Sequence, residues 1–305
     1  MSAQKTLSGR AWAELMLLSA IWGGSFLSIR VALDEIGFVT SVAHRVVWAA
    51  LVLWVVVLLR RLPLPRDPKV WGAFLAMGVL NNVLPFSLMA WGQLHIETGL
   101  TAILNAATAI FGVLVAALLF HDERLSLRRG IGVGLGFLGV AVAIGLGNLI
   151  SFDLRSLAQL AVLAGALSYA LASAWGRATL AGLPPQIAAA GMLTGSSLVM
   201  LPAALWLEGV PSFALQADTA IAIAYYAVAA TAFAYLLYYR VLASAGSGNL
   251  MLCTLLIPPV AIVLGALVRG EALLPQAYLG FVLLAAGLVI LDGRLVRRLF
   301  PKMSA

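Results

Sequence analysis

A chain of 305 residues that is 63% hydrophobic and 10% charged, with a mean hydropathy of +1.04, carries more apolar surface than a water-soluble domain can bury, so its solvent is a lipid bilayer. A formal charge of +7 and a pI near 10.0 would suit a nucleic-acid binder, but no basic face or aromatic platform lies outside the apolar runs. Nucleic acid is therefore excluded as a partner, and the single Cys253, inside an apolar run, excludes an intrachain disulfide and acts as a small filler.

A spanning helix needs roughly 20 predominantly apolar residues. Ten runs qualify: Ala11–Leu33, Val39–Leu59, Val70–Leu94, Gly99–Phe120, Gly130–Leu149, Leu157–Leu180, Ile187–Leu207, Ala220–Leu242, Asn249–Val268 and Tyr278–Leu299. Lys5 and Arg10 give the first run the look of a signal peptide, but it is too long for one and nine more follow.

Span one carries Trp22-Gly23-Gly24-Ser25 at mid-depth, where the glycines permit either close helix approach or a bend, and Trp22 is either a cavity wall or buried packing. Glu14 lies near the start of this span and snorkels to its interface. His44 and Arg45, near the outer end of span two, are expected to snorkel as well. Span three places Asn81 and Asn82 in mid-membrane, where amides need partners, and Pro85 frees a carbonyl beside them. Those amides either bond between helices or face a watery cavity. In span four Thr101, Asn105 and Thr108 form one polar stripe at helical spacing. Gly132, Gly136 and Gly139 make span five a packing face, serving the scaffold or a subunit contact.

The polar linker at 148–155 divides a first half, residues 1–150, from a second, residues 151–305. Span six carries Ser168, Tyr169, Ser173 and Trp175; span seven has only Thr194, Ser196 and Ser197 as hydrogen bonders. Thr231, Tyr235 and Tyr238 or Tyr239 share a stripe on span eight, with Tyr235 deepest. Span nine carries Thr254 and the pair Pro258-Pro259, which is expected to kink or open the helix.

Two stretches repeat. A gapless shift of 148 brings Leu267 onto Leu119, Glu271 onto Glu123, Leu273 onto Leu125, and Gly280, Gly287 and Gly293 onto Gly132, Gly139 and Gly145. A shift of 147 brings Tyr169 onto Trp22 and Arg177 onto Arg30, so one residue is gained or lost between these matches. If the N-terminus is cytoplasmic, only Arg30, Arg45, Arg155 and Arg269 of the 19 Lys and Arg fall outside. By the positive-inside rule both termini are then cytoplasmic. Five spans per half is odd, so the second copy is inverted; the Glu123 corner lies inside among Arg124, Arg128 and Arg129, and the Glu271 corner outside with only Arg269. Both glutamates are expected to anchor helix corners.

Trp22-Gly23, the span-four and span-nine units ending at Glu123 and Glu271, and the paired glycines resemble the EamA repeat of the ten-helix drug/metabolite transporter superfamily. Within it, the chain is most similar to the YddG-type exporters of aromatic and other amino acids. The resemblance implies an all-α, multi-pass protein of the bacterial inner membrane: two inverted five-helix repeats around a central cavity. Spans one, three, four, six, eight and nine would line that cavity, with five and ten peripheral. One departure stands out: the family often has proline in both span four and span nine, but the counterpart of Pro258 here is Ile110.

The expected substrate site is Trp22, Ser25, Asn81, Asn82, Thr101, Asn105, Thr108, Tyr169, Ser173, Tyr235, Tyr239 and Thr254, with helix breaks at Pro85, Pro258 and Pro259. This inventory holds amides, hydroxyls and rings but no fixed charge, which suits a neutral or zwitterionic amino acid moved by alternating access and disfavours a phosphate-bearing one. His44, His95 and His121 are scattered, so neither a metal set nor an enzyme's catalytic cluster is expected, and no cofactor. A multidrug exporter is the close alternative, because an aromatic neutral cavity also takes lipophilic compounds, and a passive pore is a more distant one. The chain is expected to act as a monomer or weak homo-oligomer.

Overall fold

The computed structural model describes residues 8–120, 126–145, 153–212, 214–245, 250 and 252–292. His121, Glu123, Arg124, Leu125, most of the 148–155 linker, Gly293 and the terminal cations Lys5 and Lys302 lie outside the described residues.

In hydrocarbon every backbone N–H and C=O must be satisfied within its own segment, and runs of Leu, Ala, Val and Ile meet that demand as helices. Among the described residues all regular structure is helical. Nine helices of the described residues are long and apolar enough to cross a membrane: Gly9–Ala32, Phe38–Leu59, Pro68–Gly92, Thr98–Leu119, Leu127–Ile144, Leu154–Thr179, Pro185–Leu207, Ala217–Leu242 and Pro275–Asp292. Cys253–Arg269 is a shorter apolar helix in the place of span nine. Local sequence starts several of them. Ser8 Oγ accepts from Ala11 N at 3.2 Å, Asp67 Oδ1 from Lys69 N at 2.8 Å ahead of Pro68, and Asp153 Oδ1 from Ser156 N at 2.8 Å.

Interhelical packing comes in matched pairs. Span one lies on spans eight and nine, as span six lies on spans three and four; span two packs on span eight, as span seven packs on span three. Spans two and seven meet each other, and so do five and ten. Each half thus places its helices against the other half in the same way, as an inverted duplication demands. The five–ten contact is the closest: a Cβ on Gly132 would sit 2.9 Å from Gly287 O, and one on Gly287 would sit 2.7 Å from Gly132 O. Gly132, Gly136 and Gly139 are therefore packed inside the chain, against span ten and Ile110, as a scaffold face would be.

Pro85 sits beside a helix irregularity, just after the π-helical stretch Val79–Val83, but Pro258 and Pro259 do not break their helix. Span nine is one helix, Leu252–Arg269, running through Pro258 and Pro259. The prolines cannot donate to the carbonyls of Thr254 and Leu255, yet the flanking turns hold, and Gly23 lets span one lie directly against Ile257 O and Val260. The interruption is in span four, which is split into Thr98–Asn105 and Thr108–Leu119 with neither proline nor glycine at the junction. There Ala107 N bonds to Leu104 O at 3.1 Å and Ile110 N to Ala107 O at 2.9 Å, three-residue steps that tighten the turn. Spans three and eight each contain a π-helical stretch, Val79–Val83 and Tyr225–Phe233. The 148-residue shift carries the first into the second, although VLNNV and AVAAT share no such signal.

Candidate functional site

The widened π turns leave carbonyls that a regular helix would satisfy, and polar side chains from neighbouring spans or from the π stretch itself take them. Ser168 Oγ donates to Leu80 O at 2.6 Å, Ser196 Oγ to Gly78 O at 3.2 Å, Thr231 Oγ1 to Tyr226 O at 2.7 Å, and Trp22 Nε1 to Ala230 O at 3.1 Å. A second layer joins the first π stretch to spans seven and eight. Asn81 Nδ2 donates to the Tyr235 hydroxyl at 3.1 Å, that hydroxyl donates to Asn82 Oδ1 at 3.1 Å, and Asn82 Nδ2 donates to Ser196 Oγ at 2.8 Å.

These irregular segments wall a cavity of about 1480 Å³ between the halves. Aromatic rings form much of its wall: Trp22 lies 5.9 Å from Tyr238, Tyr238 lies 5.2 Å from Tyr239 edge-on, and Phe86 lies 6.4 Å from Tyr169. Ten of the expected residues line it: Trp22, Ser25, Asn81, Asn105, Thr108, Tyr169, Ser173, Tyr235, Tyr239 and Thr254. Asn82 and Thr101 are fully buried beside it; Asn82 is spent in the network above, and Thr101 Oγ1 donates to Glu97 O at 3.1 Å. Pro85, Pro258 and Pro259 are not in the wall. Asn105 Oδ1 and Thr108 Oγ1, at the split in span four, are buried with no hydrogen-bond partner among the described residues. All spans contribute, span two through Arg45, span seven through Ala188 and Met192, and spans five and ten only at the mouth, through residues such as Arg128 and Asp292.

Arg45 is the main correction. It is 8% exposed and reaches the cavity instead of snorkelling. Seven residues into its helix, it lies about 10 Å below the span's start at 1.5 Å per residue, too deep on this inward-facing side to reach an interface. Its Nε donates to Thr231 Oγ1 at 2.9 Å, and its guanidinium stands 3.8 Å over the Phe86 ring. A charged side chain at such depth costs about 2.5–3.5 kcal/mol on insertion scales. A desolvated cation–π contact returns about 2. Sequence gives depth along a span but not which side of the helix faces the cavity, so Arg45 was not separable from a snorkelling cation. The cavity is therefore not free of fixed charge.

Among the described residues, the cavity wall reaches one end of the bundle only. Its wall extends to Ser126–Arg129, Arg177, Leu183 and Asp292, at the face of the bundle that carries Gly9, here the terminal face. At the opposite, far face the helix ends are tied together by carboxylates. Asp34 Oδ1 accepts from Arg30 at 2.9 Å and from Arg269 at 3.1 Å, joining spans one and nine. Glu271 accepts from Thr98 N and Thr98 Oγ1, both at 2.8 Å, capping span four from the end of span nine. Glu208 accepts from Val39 N at 3.1 Å and Thr40 N at 2.7 Å, Glu97 pairs with Arg155 at 2.8 Å, and Glu35 accepts from Gln216 N at 3.0 Å. Burial alone would raise the Asp34 carboxyl, but the hydrogen bond and charge of Arg269, with Arg30 behind it, hold it below the usual carboxylate range. At the terminal face Glu14 is bound by Arg10 at 3.1 Å and by Arg240, so it is an ion-pair partner there.

The EamA-like transporter family model matches the chain twice, over residues 10–145 and 156–291. Among curated proteins, a probable terminal-alkyne amino-acid exporter of Streptantibioticus cattleyicolor is 28% identical over 96% of each chain. Protein PagO of Salmonella typhimurium is 32% identical over 37% of each, and an uncharacterized transporter of Bacillus subtilis, YoaV, is 20% identical over 90% of this chain and 94% of its own. One crystal structure of a protein superposes with a TM-score of 0.69 at 16% identity, covering 96% of this chain and all of that one. That likeness speaks to the fold.

Proposed function

The chain belongs to the EamA-like transporter family, and from that premise we propose that it exports amino acids, aromatic and other zwitterionic ones, across the bacterial inner membrane by alternating access. The observation that carries this reading is the cavity of about 1480 Å³ between two inverted halves, open at the terminal face and sealed at the far one. With both termini cytoplasmic, as the positive-inside rule reads the charges, the mouth faces the cytoplasm and the conformation is poised to load a solute for export.

The proposed site is the lining set at mid-depth. Trp22, Tyr169, Tyr235 and Tyr239 offer ring faces to an apolar side chain; Asn81, Ser25, Ser173 and Thr254 offer polar edges; Asn105 Oδ1 and Thr108 Oγ1, acceptors without a partner among the described residues, suit an ammonium group. Glu14 is held by two arginines and is not needed as a proton carrier, so export runs down the metabolite gradient. Release requires the far-face carboxylate ties to part while the terminal mouth closes. The protein acts as a carrier without chemistry on its solute, as a monomer or weak homo-oligomer. The relative from Streptantibioticus cattleyicolor, by name an amino-acid exporter, supports the solute class.

The ring-rich wall also favours a second reading, a multidrug exporter. Proteoliposomes loaded with a labelled amino acid panel separate the two: the proposal expects saturable amino acid flux, and dye or drug flux without amino acid flux would overturn it.

A further inference from the structure

Deep in the cavity lies a cation, Arg45, whose charge no described side chain answers. Arg45 spends Nε on Thr231 and one face of its guanidinium on Phe86, and neither Nη group has an acceptor among the described residues. No described Asp or Glu pairs with it. The far-face carboxylates nearest along the helices are engaged elsewhere: Asp34 by Arg30 and Arg269, Glu97 by Arg155, Glu271 by Thr98, and Glu208 by the amides that begin Arg45's own helix. What surrounds the guanidinium is hydroxyl and ring, with Thr231 fixing its orientation and Phe86 shielding one side. The remaining N–H groups form a planar fork at the cavity wall, the geometry that a carboxylate accepts in bidentate fashion.

We propose that Arg45 is the docking group for a carboxylate on the transported solute, so that the cavity selects molecules joining one carboxylate to an apolar or aromatic body. This rests on the transport reading for its premise that the cavity is the solute site. It goes beyond that reading by fixing which end of the solute lies deepest, toward the sealed face, and by excluding purely cationic or neutral lipophiles as preferred cargo. The arginine stays charged throughout the physiological range, so docking needs no proton and the solute's carboxylate supplies the missing counter-charge.

The test uses full-length protein in proteoliposomes with five probes: L-phenylalanine, L-phenylalaninamide, hydrocinnamate, hydrocinnamamide and phenethylamine. For wild-type protein, phenylalanine and hydrocinnamate flux should saturate at lower concentration than their uncharged-end counterparts. Arg45→Gln should lower the carboxylate-to-amide flux ratio at least about tenfold, the worth of one charge-assisted hydrogen bond, and Arg45→Lys should restore part of it. Should Arg45→Gln fold poorly, melting of the wild-type protein decides: hydrocinnamate should raise its Tm and hydrocinnamamide should not. An unchanged ratio in Arg45→Gln, or wild-type flux of phenethylamine with no flux of either carboxylate, overturns the proposal. Arg45-dependent flux of hydrocinnamate without phenylalanine flux would sink the amino acid reading and leave the docking role standing.

Discussion

The two faces of the bundle are held by different chemistry. At the far face, carboxylates bridge helix ends: Glu271 and Glu208 cap the starts of spans four and two, and Asp34 and Glu97 pair with arginines of other spans. At the terminal face the mouth is edged by cations, with Arg177 4.1 Å over the Phe120 ring and Arg128 Nη1 donating to Ile290 O and Leu291 O. Helix N-termini and carboxylates attract, and at the terminal face Glu14, held by Arg10 and by Arg240 of span eight, makes one tie of the same kind. The far-face ties are local and polar, so they can be broken one at a time. The five–ten seam is apolar and backbone-close, so it cannot. The molecule thus separates what must stay joined from what must open.

The largest test of that division is at the seam. Gly139→Leu would place side-chain atoms where Gly280 O lies 2.7 Å from even a Cβ, so overpacking should cost about 3 kcal/mol and show as a lower denaturation midpoint with loss of folded protein. A normal midpoint would mean that the halves can slide. Next is the seal: Glu271→Gln loses the charge from a cap worth about 1.5–3 kcal/mol and should increase, roughly tenfold, labelling from the far side of a cysteine placed at Phe26. Unchanged labelling would show that the seal does not depend on this carboxylate.

Acidification gives a smaller effect with a fixed sign. The folded Asp34 carboxyl titrates below its unfolded value, so its contribution is full above the unfolded pKa and is lost as pH falls through the folded one. Far-side labelling should therefore be flat from neutral pH down to about 4 and rise below it, and Asp34→Asn should remove the part of the rise that this carboxylate carries. The smallest change is Arg155→Gln, which breaks a partly exposed pair worth about 1 kcal/mol or less and should alter labelling no more than a few-fold.

Hydropathy made the spans legible, and the positions of Arg and Lys made an inverted duplication legible, because both follow from bilayer energetics residue by residue. Most of the cavity wall was legible for the same reason: Asn81, Asn105 and Tyr235 cannot face lipid. Which polar residues end in the network and which in the wall was not. Asn82 adjoins Asn81 and differs from it only in the direction that a π turn gives it. The proline pair predicted a break that the helix absorbs, while the split at Ala106-Ala107 is flanked only by Asn105 and Thr108, weaker helix formers that many unbroken helices also contain. Tertiary packing decides both, and it leaves no local mark.

The paired π stretches bear on how such a duplicated chain can drift. A π turn accommodates one residue more than an α turn while leaving both ends of its helix in place. The matches between halves slip from a shift of 147 to one of 148 somewhere after Arg177 and before Leu267, and the longer π stretch, Tyr225–Phe233, lies in that interval. Span eight can therefore have taken up an inserted residue without shifting the helices on either side of it. Where the wall of the cavity is most irregular, the chain has kept a place in which its two copies can change length separately and still fit together.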